Sequence, residues 1–355
     1  MAMDTEEVGD GVAPQEAQEL PPVARLMDLT TAPWITQAIS AVAGLGVPDH
    51  LGRVGEAPRT ADELAAAVGA DGPSLRRVLR ALTHVGVVAS ADGDRFAATE
   101  LSELLRTDNP GSLRAWAQMV GAPFHMRALT DLVGAIRTGE PAFERVHRQV
   151  AFDWFRDHPE SAAVFNAAMT GASSPPIAEV LTAYDFVDAT NVLDVGGGHG
   201  AVLAAVLRAH PHLRGAVFDL PEVVPGAGAV FEAAGVADRA GTVAGDFFEA
   251  VPPGADVHVL ANILHDWDDE RCVRILRNCR SALEPGGRVL LAEGLLDGPD
   301  PATTAVVDLE MLVMGTGRQR STDELRALFR QAGLELSGVG PSGPLYSVVE
   351  AVPAG

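Results

Sequence analysis

Three polar residues, Asp219, Asp246 and His265, each stand just beyond a short apolar run, and a glycine-rich turn precedes them all. That turn lies in Val192-Leu-Asp-Val-Gly-Gly-Gly-His-Gly-Ala201, where an apolar strand breaks and runs directly into the helical stretch Val202–Arg208. Glycine at 196, 197, 198 and 200 removes the Cβ atoms that would hold a ligand off the backbone, and allows the positive φ of a tight strand-to-helix turn. The next strand, Gly215-Ala-Val-Phe-Asp219, ends in an acid 23 residues after Gly196. A carboxylate at that tip accepts hydrogen bonds from the hydroxyls of a ribose. Turn and acid together imply a site for an adenosine-type cofactor. Gly196-x-Gly198-x-x-Ala201 also satisfies the dinucleotide fingerprint, so the turn alone does not separate NAD from S-adenosylmethionine.

Two further motifs sit at the ends of later strands. In Gly245-Asp-Phe-Phe248, Asp246 is placed to accept from an adenine amino group while Phe247 covers the ring; the competing reading is an ordinary turn acid. In Asn262-Ile-Leu-His-Asp-Trp-Asp-Asp-Glu270, His265 follows the apolar strand Val257–Ala261. A lone histidine after a strand is commonly structural, but this polar group falls at the carboxyl edge, where open α/β sheets bind ligands.

The elements that must hold these residues alternate. Strands are expected at 191–195, 215–219, 241–245, 256–261 and 287–292 with helices between them, the pattern of a doubly wound parallel sheet. Leu334–Val339 and Leu345–Val352, joined by Gly340-Pro-Ser-Gly343, read as a closing hairpin. Upstream, residues 106–190 are mostly helical, with Phe165 and Met169 four apart on one face and a break expected at Ser173-Ser-Pro-Pro176. Residues 21–105 read as helix–turn–helix plus wing, with a capping box from Thr60 to Glu63. Arg76, Arg77 and Arg80 would suit DNA; a packing or dimerisation module fits the acidic chain better. The expected divisions are therefore an acidic leader over 1–20, then 21–105, 106–190 and 191–355.

Composition narrows the field. The 355 residues suffice for two domains and a large core. The net charge of −22 opposes broad binding to nucleic acid or anionic membrane. No apolar run reaches the ~18 residues that span a bilayer. Residues 1–20 hold six acids, no base and no apolar core, so they read as a disordered leader rather than a signal peptide. All 26 basic residues are arginine, which removes Schiff-base chemistry and a phosphate-loop lysine. Cys272 and Cys279 lie seven apart on one predicted helix, about 10 Å and so too far for a disulfide. A reduced, cytoplasmic protein without a metal site is expected.

Taken in series, Leu193-Asp-Val-Gly-Gly-Gly198, Asp219-Leu-Pro221, Gly245-Asp246 and Leu264-His-Asp-Trp267 resemble the small-molecule O-methyltransferases, plant caffeic-acid and flavonoid enzymes and bacterial polyketide-tailoring enzymes among them. The resemblance runs from about residue 22 to 352. It implies an α/β fold: a Rossmann-like, class I methyltransferase sheet behind a mostly helical, winged-helix dimerisation domain. It also implies S-adenosylmethionine as cofactor, a homodimer, and a small aromatic or polyketide acceptor. By position, Gly196, Asp219, Asp246 and Phe247 would line the cofactor site, His265 would be the general base and Glu293 would orient its ring. Phe165, Met169, Asp266, Asp308 and Met311 would shape the acceptor pocket. Two positions depart from the family pattern. Ala261 stands where a lysine is common, and Gly317-Arg-Gln-Arg-Ser321 carries Gln319 where a glutamate is common. The second departure keeps open a redeployed chemistry on the same fold: hydroxylation, decarboxylation or a pericyclic step. A cofactor-sensing transcriptional regulator and an NAD dehydrogenase fit less well. The first gives His265 and Glu293 no task, and the second lacks a hydride-relay pair.

Overall fold

The structure is a computed structural model that describes residues 21–92 and 94–355. The acidic leader expected over 1–20 lies outside the described residues. The carboxyl-terminal half forms one sheet of seven strands: β1 (Asn191–Val195), β2 (Arg214–Asp219), β3 (Ala240–Ala244), β4 (Ala255–Ala261), β5 (Leu283–Gly294), β6 (Leu334–Ser342) and β7 (Tyr346–Pro353). Their spatial order is β3-β2-β1-β4-β5-β7-β6. The first five run parallel, while β7 lies antiparallel between β5 and β6, so the expected closing hairpin makes the sheet mixed.

Period-two alternation sends the apolar side chains of the central strands into cores on both faces, while the edge strands Ala240–Ala244 and Leu334–Ser342 stay largely exposed. Val289 and Leu291 of β5 point into one core with Leu260, Ile275, Leu276 and Phe329; Leu290 and Ala292 point into the other with Val257, Val259, Leu203 and Val348. Chain order reverses between β1 and β4, and the crevice beyond their carboxyl ends is where such a sheet binds ligands. Among the described residues no helix is long and apolar enough to cross a membrane.

The break expected at Ser173–Pro176 is not one. Helix Pro159–Ala168 passes through a π-helical turn, Met169–Ser173, into helix Ser174–Thr182. Pro175 and Pro176 fall in the first turn of that last segment, where a backbone N–H would have no partner in any case. Ile177, Val180, Leu181 and Phe186 then share a core with the sheet.

At the amino end, helices Ala61–Val68 and Gly72–His84 precede antiparallel strands Val88–Ala91 and Arg95–Ala98, with Arg59–Thr60 pairing alongside. The capping box is present: Glu63 N–H donates to Thr60 Oγ1 at 3.1 Å and Thr60 N–H donates to Glu63 Oε2 at 2.7 Å. Arg76 and Arg80 face Asp94, and Arg76 also meets Asp62, so two of the three arginines of that row have acidic neighbours. Cys272 and Cys279 are free thiols buried on helix Asp269–Ala282.

Candidate active site

The turn after β1 is built by backbone conformation. Gly196, Gly198 and Gly200 have φ of +73°, +58° and +76°, values at which any Cβ strains the chain. A Cβ at Gly196 would lie 2.5 Å from Ile263 Cδ1, whereas one at Gly198 would meet nothing within 4 Å. The turn is thus packed on one side and open on the other. Asp219, at the tip of β2, is pulled against it: Gly198 N–H donates to Oδ2 at 2.8 Å and Leu220 N–H to Oδ1 at 2.7 Å. Burial pushes the Asp219 carboxyl above its usual range, against those two amides. Each oxygen keeps lone-pair capacity for a further donor. Beyond β3, Asp246 is exposed and its Oδ1 accepts Phe248 N–H at 2.8 Å. Phe247 closes the wall, with ring carbon Cε1 3.4 Å from where a Gly196 Cβ would stand.

The other side of the crevice is assembled from side chains. After β4 the chain turns at Asn262, whose φ of +53° is one of two positive values at non-glycine residues among those described. Asparagine tolerates that region, and here its Nδ2 donates to Tyr346 Oη at 3.1 Å. His265 occupies the short helical turn Leu264–Asp266 that follows. Arg320, 3% exposed, clamps this turn from outside: Nη1 donates to Leu264 O at 2.9 Å and Nη2 to Trp267 O at 2.8 Å. Gly317 lies flat against it, and a Cβ there would sit 1.9 Å from His265 O.

Glu293 stands beside the ring without hydrogen-bonding it. Its Oε2 is 4.0 Å from His265 Nδ1, while its Oε1 accepts the N–H groups of Ile263 and Leu264 at 3.1 and 2.9 Å. The carboxylate therefore shapes the turn, and the ring is held by Gln319, whose Nε2 is 2.8 Å from Nδ1. Asp308 braces the same group, its Oδ1 accepting Gln319 N–H at 2.7 Å. Asp266 does stand near the ring, with Oδ1 3.6 Å from Nε2.

Charges in this group are suppressed. Burial, helped by the Arg320 guanidinium, holds His265 down to about 4, so its imidazole is neutral at pH 7. Burial raises Asp266 to about 8 and Glu293 to about 7.

Aromatic rings connect the two sides to the helical layer. Phe165 stacks on Phe155 at 4.8 Å and lies edge-on to Phe152, which stacks on Trp267 at 5.5 Å; Trp267 meets Phe248 at 4.7 Å. Phe165 and Met169 pack against the same cluster as Leu312 and Met314 of helix Pro301–Met314, the helix that carries Asp308 and Met311. Sequence reasoning missed Phe152, Ile263 and Arg320. The aromatic density of Phe152-Asp-Trp-Phe155 was the one available signal for the first.

Comparisons with known proteins agree with this geometry. Residues 128–335 match the model of an O-methyltransferase domain and residues 27–108 that of an O-methyltransferase dimerisation domain. The chain is 41% identical over 329 residues to phenazine O-methyltransferase PhzM of Lysobacter antibioticus, covering 92% of this chain and 95% of that protein. It is 38% identical over 278 residues to aclacinomycin 10-hydroxylase RdmB of Streptomyces purpurascens, covering 76% of this chain and 74% of that one. The crystal structure of NcsB1, an O-methyltransferase from neocarzinostatin biosynthesis solved with S-adenosylmethionine and 2-hydroxy-5-methyl naphthoic acid, superposes with a TM-score of 0.79 at 34% identity, covering 94% of this chain and 99% of that one. A glycine turn open at Gly198, a strand-tip carboxylate with spare lone pairs and a ring wall at Phe247 fit S-adenosylmethionine, and the chain belongs to the S-adenosylmethionine-dependent O-methyltransferases of natural-product biosynthesis.

Proposed function

We propose that the enzyme methylates a phenolic or enolic hydroxyl of an aromatic or polyketide natural product, with His265 as general base. One observation carries this reading. Ile263 fills the space beside Gly196 and lies two residues from His265, so the turn bearing the imidazole abuts the turn that faces the cofactor. The bound S-adenosylmethionine supplies an electrophilic methyl group. Asp219 would hold the ribose, Phe247 would cover the adenine beside Asp246, and Phe165, Met169 and Met311 would hold the acceptor by apolar contact.

The base is needed because a phenol with pKa near 10 is about 0.1% ionised at pH 7, a deficit of roughly 4 kcal/mol. A neutral imidazole can take that proton, and alignment of the attacking oxygen supplies much of the remaining acceleration. Val23, Leu26, Met27 and Trp34, all exposed and on one side of helix Pro22–Leu45, supply the apolar face for a homodimer. Light scattering should return twice the chain mass.

The direct test is incubation with S-adenosylmethionine and a panel of phenols and hydroxyquinones, read by mass spectrometry for replacement of one hydrogen by methyl. Cofactor binding without any methylated product would favour the second reading, a redeployed reaction such as hydroxylation. Gln319, in place of the family's glutamate, is the observation behind it.

A further inference from the structure

Away from the crevice, one buried polar pair has no task in the chemistry above. His125, on helix Pro123–Leu129, is 3% exposed. Its Nδ1 lies 2.9 Å from Val120 O and its Nε2 2.7 Å from Glu310 Oε1. A carbonyl and a carboxylate both accept, so both ring nitrogens must donate, and a ring with two N–H groups is the imidazolium. Burial by itself would lower the ring, but the Glu310 carboxylate, with the Val120 carbonyl, holds it above its ordinary value. Glu310 is the charge that acts on it. On the adjoining helices Arg114 is committed to Asp49 at 2.8 Å, Arg145 to Asp131 at 2.7 Å and Asp308 to the Gln319 amide, while His147 Nε2 turns to Phe124 O at 2.9 Å. Arg127, on the ring's own helix, is exposed.

Glu310 belongs to helix Pro301–Met314, in which only Thr304 and Val313 of 14 residues are buried. Apolar burial alone therefore fixes this helix weakly, yet it carries Asp308 and Met311 to the rim proposed for the acceptor. The His125 pair ties it to the helical layer. Resting on the methyltransferase reading above, we infer that His125 is a positioning residue for the acceptor, holding helix Pro301–Met314 in place through a proton shared with Glu310. While the proton is present, both ring nitrogens donate. Once it leaves, either neutral tautomer points a lone pair at the Val120 carbonyl or at the carboxylate, and one bond of the tie is lost. The hold is complete below the ring's ordinary value and is lost as pH rises through the raised one. The acceptor side then loosens in base, while the cofactor turn, fixed by its own backbone, does not.

Glu310→Gln gives the decisive comparison, because an amide at 310 can donate to a neutral ring and so keeps the tie without the extra proton. The first measurement is kcat/KM for a phenol of the panel above, wild type against Glu310→Gln at each pH, so that ionisation of the acceptor itself cancels. From about pH 6 to about pH 9 the ratio of variant to wild type is expected to rise at least about fivefold, with the KM for S-adenosylmethionine within about twofold throughout. Glu310→Ala should lower the acceptor kcat/KM at least about fivefold even at about pH 6, and Glu310→Gln should restore it. The second measurement needs no turnover: hydrogen–deuterium exchange of the amides of helix Pro301–Met314, corrected for the intrinsic rate at each pH. Exchange should quicken with pH in the wild type and stay level in Glu310→Gln. A ratio that is flat across this interval, or wild-type exchange indifferent both to pH and to Glu310→Ala, would overturn the inference. Methylation of no phenol, with exchange as expected, would sink the methyltransferase reading and leave the proton-dependent tie intact.

Discussion

The two rims of the crevice are made by different means. The cofactor rim, between the β1 turn and Asp219, is mostly backbone: three left-handed glycines, and two amides that meet a carboxylate at the tip of the adjacent strand. The opposite rim, proposed for the acceptor, gathers side chains from four separate segments, with Asn262 to Trp267, Glu293, Asp308 and Gln319-Arg320 meeting around one imidazole. Backbone geometry of the first kind tolerates change around it. The second kind depends on every contributor.

That contrast can be pressed experimentally. The largest effect belongs to His265→Ala, which should lower turnover by about 10² to 10⁴ while leaving cofactor affinity within about twofold. Equal losses in both, by kinetics and calorimetry, would show that the rims are not separable. Asp219→Ala should do the reverse, weakening cofactor binding at least about a hundredfold through lost charge-assisted hydrogen bonds, with the acceptor KM little changed. Arg320→Met should cost about 2–4 kcal/mol of stability in urea unfolding, since Leu264 O and Trp267 O lose their buried donor. An unchanged unfolding midpoint would mean the turn holds itself.

The smallest effect is a pH dependence. Burial raises Glu293 to about 7 and Asp266 to about 8; burial and then the Asp219 charge raise Asp194 to about 7. The folded chain therefore keeps protons that the unfolded chain has released. These groups favour folding fully below about pH 4, and that contribution fades as pH climbs to about 8. His258 and His265, lowered to about 4, act oppositely but only below about pH 6.5, where the unfolded chain takes up protons first. The thermal midpoint should fall between about pH 6.5 and 8.5, and Asp194→Asn should remove part of the fall. A midpoint that rises over this interval would contradict the burial of these carboxyls.

What could be read from the chain beforehand divides along the same line. The β1 strand and its glycine turn were legible because conformation there is dictated locally, by residues that lack a Cβ and by an acid at a fixed spacing. The helix with Cys272 and Cys279 was legible from its periodicity. The ring's partner was not. Whether Glu293 or Gln319 touches Nδ1 turns on about an ångström across three segments, and no local pattern encodes that distance. The π-helical turn at Met169–Ser173 escaped for a related reason: Ser-Ser-Pro-Pro signals a helix start, and nothing nearby reveals that another helix runs into it.

Gly317 sets the terms on which this enzyme can vary. With no Cβ between them, the backbone at 317 packs directly against that of 265–267. Side chains at 318 and 319 hang from that strip without touching its spacing, so the basicity of the imidazole can be retuned while its location stays put. A methyl at 317 would instead shift the ring bodily, whatever its neighbours.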